Sequence, residues 1–374
     1  MPETTDTSLY IGLISGTSMD GVDCALVSVD GALGVPCLRA SYSHRMPDEL
    51  TEALLRAAAR PDLRYTEWCE LDTAVGAEFA IAANALLSRE QVQPDRIRAL
   101  GSHGQTLFHQ PDGRHPNSLQ IGNPNVITAR TGIATVADLR RRDMADGGQG
   151  APLLPALHQR LFADAYRSRG ILNLGGIANL TVLPAATEAP TAGFDTGPAN
   201  TLLDRWCELH TGSPFDAGGQ YAAQGEVLPE LLSTLMAEPY LARAAPKSTG
   251  TEYFNLQWLR TLSPDIERYE PADVQRTLTR FTAASVSEAA ARYPLDEMWV
   301  VGGGRHNRLL VQDLEDRSGL AIRDPASLGV DGDNLEAMAF AWFAHCHLEG
   351  IAIMPTGLTG ARRSCVLGAL YPAG

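Results

Sequence analysis

"YIGLISGTSMDGVDCALVSVD", residues 10–30, is an alternating apolar run, a break of small and polar residues, and a second alternating run. Alternation with period two marks a half-buried strand, so residues 9–15 and 22–29 predict a β-hairpin. The bend holds Gly16, Thr17, Ser18, Met19, Asp20 and Gly21, with Val22 and Asp23 opening the return strand. Backbone N–H groups of a tight glycine turn converge on one concavity, and such nests bind anions. The Thr17 and Ser18 hydroxyls add hydrogen-bond donors for phosphate. Asp20 and Asp23 offer the oxygen ligands that Mg²⁺ takes, directly or through water. The turn is no Walker A loop, since it lacks G-x-x-x-x-G-K-[ST] and leads into a strand instead of a helix. A solvated hairpin loop would read the same way, and this stretch alone leaves both readings open.

The pattern returns. "GILNLGGIANLTVLP", residues 170–184, is again strand, glycine turn and strand, about 160 residues after the first. "EMWVVGGGRHNRLLVQDLEDR", residues 297–317, repeats the strand and glycine turn of "RIRALGSHGQT", residues 96–106, at an interval of about 200. Two matching turns in one order predict an α/β fold of two related halves. The longer second interval places an insertion at about 204–275, where "PKSTGTEYFN" lies. The expected domains are 1–132 with 350–374, and 133–349. Helices are predicted at 48–60, 67–90, 152–165 and 333–349, and further strand at 126–137.

The bulk numbers agree. The chain has 374 residues, 44% of them hydrophobic, with 35 glycines, as in an ordinary globular α/β protein. A net charge of −14 argues against a broad nucleic-acid surface but leaves room for a small basic pocket. Its densest basic run is Arg140, Arg141 and Arg142. The six cysteines (24, 37, 69, 207, 346 and 365) include no C-x-x-C pair, so neither a zinc site nor a disulfide framework is expected. His345-Cys346-His347 falls in a helical stretch, where adjacent residues point apart, and no metal is expected there. No signal segment and no membrane-length apolar run is present, so a cytoplasmic location without membrane contact is expected.

Other stretches carry chemistry. Gly175 and Gly176 sit at the second hairpin bend. Gly302, Gly303 and Gly304, followed by Asn307, would let backbone approach a flat ring such as adenine. In "AGFDTGPANTLLDRW", residues 192–206, Asp195 lies at a strand end before a helix. It is placed either as a general base or as a helix cap. His103 and Gln105 follow a buried strand in "GSHGQT". Arg130, Asp138 and the arginine run could line a pocket for an acidic, hydroxylated ligand, because arginine binds carboxylates in bidentate fashion. Two of the three arginines in the run read as a solvated face. Glu336 shares a helical face with Ala339 and Phe340, so it is either paired or functional.

Together, "GLISGTSMDGVD", "GSHGQT", "VADLRRRDMADGGQGAPLLPALH", "LNLGGIANLT", "FDTGPAN", "PKSTGTEYFN", "VVGGGRHN" and "LEAMAFAW" resemble the anhydro-N-acetylmuramic acid kinases over residues 10–370 or so. The resemblance implies two RNase-H-like domains, as in actin, Hsp70 and hexokinase, with an ATP cleft between them. It implies phosphorylation of 1,6-anhydro-N-acetylmuramic acid at O6, with water opening the anhydro bridge, in cell-wall recycling. ATP and Mg²⁺ are the implied cofactors, and a homodimer the implied assembly. The family's base maps onto Asp195. Residues 16–23 would hold phosphates and Mg²⁺, while His103, Arg130 and Glu336 would surround the sugar, with Arg130 on its lactyl carboxylate. Two positions depart from the family pattern: Ala199 replaces the second glycine of DTGPGN, and Thr251 replaces the arginine of STGRE. The second departure puts any substrate contact at 251 in doubt.

Two alternatives stand beside this. One is another enzyme of the same fold, acting on a different sugar or on phosphate chains; the "DLRRRD…GGQGAP" loop argues against it. The other is an ATP-gated binding module, which would need a partner-binding tail that is not expected after the last motif.

Overall fold

The computed structural model describes residues 7–16, 19, 21–31, 34–60, 62–186, 192–353 and 358–374. In chain order, β1 (Thr7–Ile14), β2 (Gly21–Asp30), β3 (Pro36–Arg45), β4 (Ile97–Ser102), a separate hairpin of β5 (Gln105–Gln110) and β6 (Asn117–Ile121), and β7 (Thr135–Ala137) come first. Then follow β8 (Arg169–Leu174), β9 (Ile177–Leu183), β10 (Ala192–Pro198), β11 (Glu297–Val301) and β12 (Ala321–Arg323), and the chain closes with β13 (Ala369–Tyr371).

Two compact units result. One is Met1–Leu161 with Asn334–Gly374, the other Phe162–Asp333. The sheet of the first unit runs β13-β7-β4-β1-β2-β3. Strands β1, β2 and β3 are antiparallel neighbours, whereas β4 is parallel to β1 and β7 to β4. The sheet of the second unit runs β10-β9-β8-β11-β12, again three antiparallel strands followed by two parallel ones. The two glycine-turn echoes in the sequence are therefore one sheet built twice. This strand order agrees with the RNase-H-like arrangement that the resemblance implies.

In the first unit, alternate β1 residues Ile11 and Leu13 join Val75, Phe79, Ala82, Ala83 and Leu86 of the helix Tyr65–Glu90 in one buried cluster. The other face of the sheet is covered by the helix Leu335–Leu348, which approaches so closely that a Cβ at Gly12 or Gly101 would overlap the carbonyls of Ala337 and Phe340. That helix is apolar nearly all round because it is buried nearly all round. Its packing explains why the first unit takes back the chain at Asn334, not near 350. Pairing of β7 with β4 and β13 likewise keeps residues beyond 132 in the first unit.

Residues 126–137 are mostly not strand. Pro124 occupies the first helical position behind Asn123, whose side chain accepts from the Asn125 N–H, and the helix Pro124–Thr131 ends at Gly132 with φ 71°. These are ordinary start and stop signals for a helix. Only Thr135–Ala137 is extended.

Candidate active site

Because β1, β4 and β7 are parallel, their carboxyl ends share one edge of the first sheet. Ligands of open α/β sheets bind beyond such ends. Beyond β1 lies the turn at Gly16, beyond β4 lie His103 and Gln105, and beyond β7 lie Asp138 and Arg140. The Ser15 hydroxyl donates to Gln105 Oε1 at 2.6 Å, tying the first two together.

Thr17, Ser18 and Asp20 lie outside the described residues. Of the rest of the turn, Gly16 has open space where a side chain would be. Met19 has φ 59°, donates its N–H to the Gly16 carbonyl, and buries its side chain in the core. Val22 is 0% exposed. Both can offer a ligand only backbone, and their side chains anchor the turn. A Cβ at Gly21 would come within 2.9 Å of the His44 carbonyl. Asp23 is exposed, and its Oδ1 accepts from the Ser43 hydroxyl at 2.6 Å. An exposed carboxylate is a group of the kind that holds Mg²⁺, one or two of them together with phosphate oxygens. Among the described residues no group of three metal-binding side chains occurs. His345 and His347 point apart as expected, to the Tyr10 hydroxyl and the Leu367 carbonyl.

In the second unit the carbonyls of Gly175 and Gly176 accept N–H bonds from Asn200, Ala199 and Thr201, which seats the β8–β9 turn on the first turn of the helix Asn200–Thr211. The three glycines after β11 have different reasons. Gly302 has φ 79°, and a Cβ there would strike Asn173. A Cβ at Gly304 would stand 2.6 Å from that of Leu174 and 2.9 Å from Asn200 Oδ1. Gly303 alone faces open space. Asn307 is buried and caps the helix Arg308–Ser318 through its side chain, which accepts from the Leu310 N–H.

Asp195 is no helix cap. The carboxylate Oδ1 accepts from Asn179 Nδ2 and Oδ2 from the Thr249 N–H, each at 2.9 Å. Its own N–H donates to the Lys247 carbonyl at 3.1 Å, and its carbonyl accepts from the Tyr240 hydroxyl at 2.9 Å. A bulge between Asp195 and Gly197 breaks the β9–β10 register at this point, as bulges do beside functional residues. Burial raises the Asp195 carboxyl above the ordinary carboxylate range, and the two N–H donors and the Lys247 charge oppose it without cancelling it. The Lys247 ammonium, 4.7 Å from the Tyr240 ring centre and bonded to the Tyr240 and Leu241 carbonyls, is pushed down to about 8 by burial and then by Arg292.

His103 sits against Phe340, with ring centres 4.8 Å apart. Arg140 Nε donates to His103 Nε2 at 3.0 Å, and His103 Nδ1 lies 2.9 Å from the Gly104 carbonyl. An arginine cannot accept, so Nε2 carries the lone pair and Nδ1 the proton. Burial, then the Arg140 charge, holds this imidazole down at about 3. Glu336 belongs to the same neighbourhood and is the carboxylate that Arg140 senses. Arg130 does not join them. It is exposed in the last turn of the helix Pro124–Thr131, just before the amino end of β7, whereas His103 follows the carboxyl end of the parallel neighbour β4.

The anhydro-N-acetylmuramic acid kinase family model matches residues 8–373. The chain belongs to the anhydro-N-acetylmuramic acid kinase family. It is 47% identical over 365 residues to the anhydro-N-acetylmuramic acid kinase of Coxiella burnetii (strain Dugway 5J108-111), covering 97% of each chain. It is 47% identical over 367 residues to that of Vibrio vulnificus (strain CMCP6), covering 97% of this chain and 98% of the other. Among solved structures, the activator of the 2-hydroxyisocaproyl-CoA dehydratase from Clostridium difficile with bound ADPNP shares 11% identity at a TM-score of 0.43, over 90% of this chain and 94% of that one.

As an anhydro-N-acetylmuramic acid kinase, the chain accommodates its two departures locally. Ala199 has φ −123°, so the methyl meets no left-handed strain, and the residue is fully buried. Thr251 places its methyl 3.4 Å from where a Cβ on Gly176 would stand. Asn179, Tyr240, Lys247 and Thr249 were not singled out from the sequence. Asn179 and the "PKSTG" segment lay inside quoted motifs, but which atoms reach Asp195 depends on the β9–β10 register and on a loop some 50 residues downstream.

Proposed function

We propose that this anhydro-N-acetylmuramic acid kinase couples opening of the anhydro bridge to phosphoryl transfer, with Asp195 as the general base. Family membership makes the chain an ATP-dependent sugar kinase acting on 1,6-anhydro-N-acetylmuramic acid. The observation that carries the mechanism is the Asp195 carboxylate, held at both oxygens by N–H donors and raised by burial, hence oriented and basic. Water attacks the anomeric carbon and gives its proton to Asp195. The bond from that carbon to O6 breaks, and O6 takes the γ-phosphoryl group. The products are N-acetylmuramic acid 6-phosphate and ADP, with one water consumed. Gly16, Gly21 and the backbone of Met19 would cradle phosphate beside Asp23, with Thr17, Ser18 and Asp20 completing the turn. Gly175, Gly176 and the open Gly303 would lie against the nucleotide. Mg²⁺, held by Asp23, would supply charge neutralisation on the phosphates.

A homodimer and a cytoplasmic location complete the proposal. Sedimentation velocity tests the first. The mechanism is tested by ADP release with the anhydro sugar against ordinary N-acetylmuramic acid. Only the anhydro sugar should turn over, giving the 6-phosphate. Equal turnover of the open sugar would reduce Asp195 to the base for a hydroxyl.

A further inference from the structure

Glu238, in the inserted segment of the second unit, is a buried carboxylate with no part in the chemistry above. It is 5% exposed, and an acidic side chain is kept that deep only when it is fully partnered. Its Oε1 accepts from the Tyr253 hydroxyl at 2.7 Å and from the Tyr240 N–H at 3.1 Å, and its Oε2 from the Trp258 indole N–H at 3.0 Å. Donors face both oxygens, so glutamine, with one acceptor oxygen, could not satisfy all three.

The bond to Tyr240 caps the short helix Pro239–Ala242. The bonds to Tyr253 and Trp258, 15 and 20 positions on, cap nothing. Tyr240 precedes the loop 243–252, and Tyr253 and Trp258 follow it, so Glu238 pins the two ends of that loop together. What the loop offers to Asp195 hangs between the pins. The Lys247 carbonyl accepts from the Asp195 N–H, and the Thr249 N–H donates to Asp195 Oδ2. Tyr240 reaches the same residue, its hydroxyl donating to the Asp195 carbonyl at 2.9 Å. Phe254 stiffens the far end. It is fully buried, donates its N–H to the Gly250 carbonyl at 3.1 Å, and meets the rings of Tyr240, Tyr253 and Trp258 edge-on at 5.7, 4.8 and 5.0 Å.

We propose that Glu238 is a positioning residue for the reaction: it holds the loop 243–252 closed, so that the Thr249 N–H and the Lys247 carbonyl keep Asp195 aimed at the attacking water. The inference rests on the reading of Asp195 as the base. The charged groups that Asp195 senses, Lys247 and Glu252, ride on the same loop, so its position also sets the field at the carboxylate. A misplacement of about 1 Å at a reacting group can cost about 10²-fold in rate.

The test compares Glu238→Ala, Glu238→Gln and Tyr253→Phe with wild type, on the full chain and well below each Tm, with Mg-ATP and 1,6-anhydro-N-acetylmuramic acid. Tyr253→Phe removes one hydroxyl from a partly exposed ring and keeps the test open if Glu238→Ala fails to fold. Glu238→Ala should lower kcat about 10- to 100-fold and Tyr253→Phe about 3- to 10-fold, with Glu238→Gln between wild type and Glu238→Ala. KM for the sugar and the dissociation constant of ATP should stay within about 3-fold, whereas amide exchange over 243–252 should quicken in each variant. In an Asp195→Asn background, Glu238→Ala should change the residual turnover less than about 2-fold, because groups that act as a unit do not add. Equal losses in both backgrounds, or a lower Tm with unchanged kcat, would make Glu238 a packing residue and overturn the proposal. Wild-type turnover in Asp195→Asn itself would remove the base, a failure of the earlier reading that is separable from both.

Discussion

The N–H of Thr249 donates to Oδ2 of Asp195 across 2.9 Å, although the two residues lie 54 positions apart. A strand in the sheet and a loop of the inserted segment thereby hold one carboxylate, with Asn179 on its other oxygen. Replacing Asp195 by Asn keeps the shape and removes the basicity. Turnover should fall by about 10²–10⁴, the usual worth of a positioned base, while the dissociation constant for ATP stays within about 2-fold. Single-turnover kinetics and equilibrium nucleotide binding check the two halves of that statement.

The raised Asp195 carboxyl sets a pH limb. A base must be ionised to act, so kcat/KM should fall as pH drops, with its midpoint above the ordinary carboxylate range near 4. Asn179→Ala removes a donor that favours the ionised form, and the midpoint should move to higher pH. A midpoint that stays fixed in the variant would mean that another group titrates.

His103 gives a stability signature. Its folded value of about 3 lies below the ordinary imidazole value of 6.5. The unfolded chain therefore binds the proton first. The contribution is fully present above pH 6.5 and is lost as pH falls from there toward 3, at up to about 1.4 kcal/mol per unit. His158, buried and likewise held at about 3, acts in the same direction. Urea melts between pH 7 and 5 should show a slope in wild type that is shallower by about one proton in His103→Gln.

The glycines after β11 should separate by function. Gly304→Ala places a methyl against Leu174 and Asn200 and should cost about 1–3 kcal/mol of stability, visible as a lower Tm. Gly303→Ala meets nothing within 4 Å and should leave Tm unchanged while raising KM for ATP. Equal Tm losses in both would show that Gly303 is also a packing glycine.

The duplication of hairpin and strand-turn was legible because period-two alternation and glycine turns are local, and both halves repeat them; the order of strands in each sheet was not. The helix Pro124–Thr131 was misread as strand because Ile127, Ile133 and Val136 look β-prone, while Pro124 and Gly132 carried the true punctuation. Asp195 was legible as a candidate but not its pinning, which depends on partners 16 and 54 positions away. In the arginine run Arg141 is exposed, whereas Arg140 and Arg142 are half-buried. That Arg140 reaches His103, 37 positions earlier, is not written in the run itself. Arg130 was placed by a pattern of residues, and the helix that carries it to the other end of the sheet could not be inferred from that pattern.

The first unit is written in two pieces, Met1–Leu161 and Asn334–Gly374, with the second unit uninterrupted between them. Order of synthesis follows from this. As the chain leaves the ribosome, residues 162–333 are complete while the earlier sheet still lacks its edge strand β13 and the helix that seals Gly12 and Gly101. The later-made unit can mature first. A chain cut short by its last forty or so residues would keep one folded half and expose one face of the other's sheet.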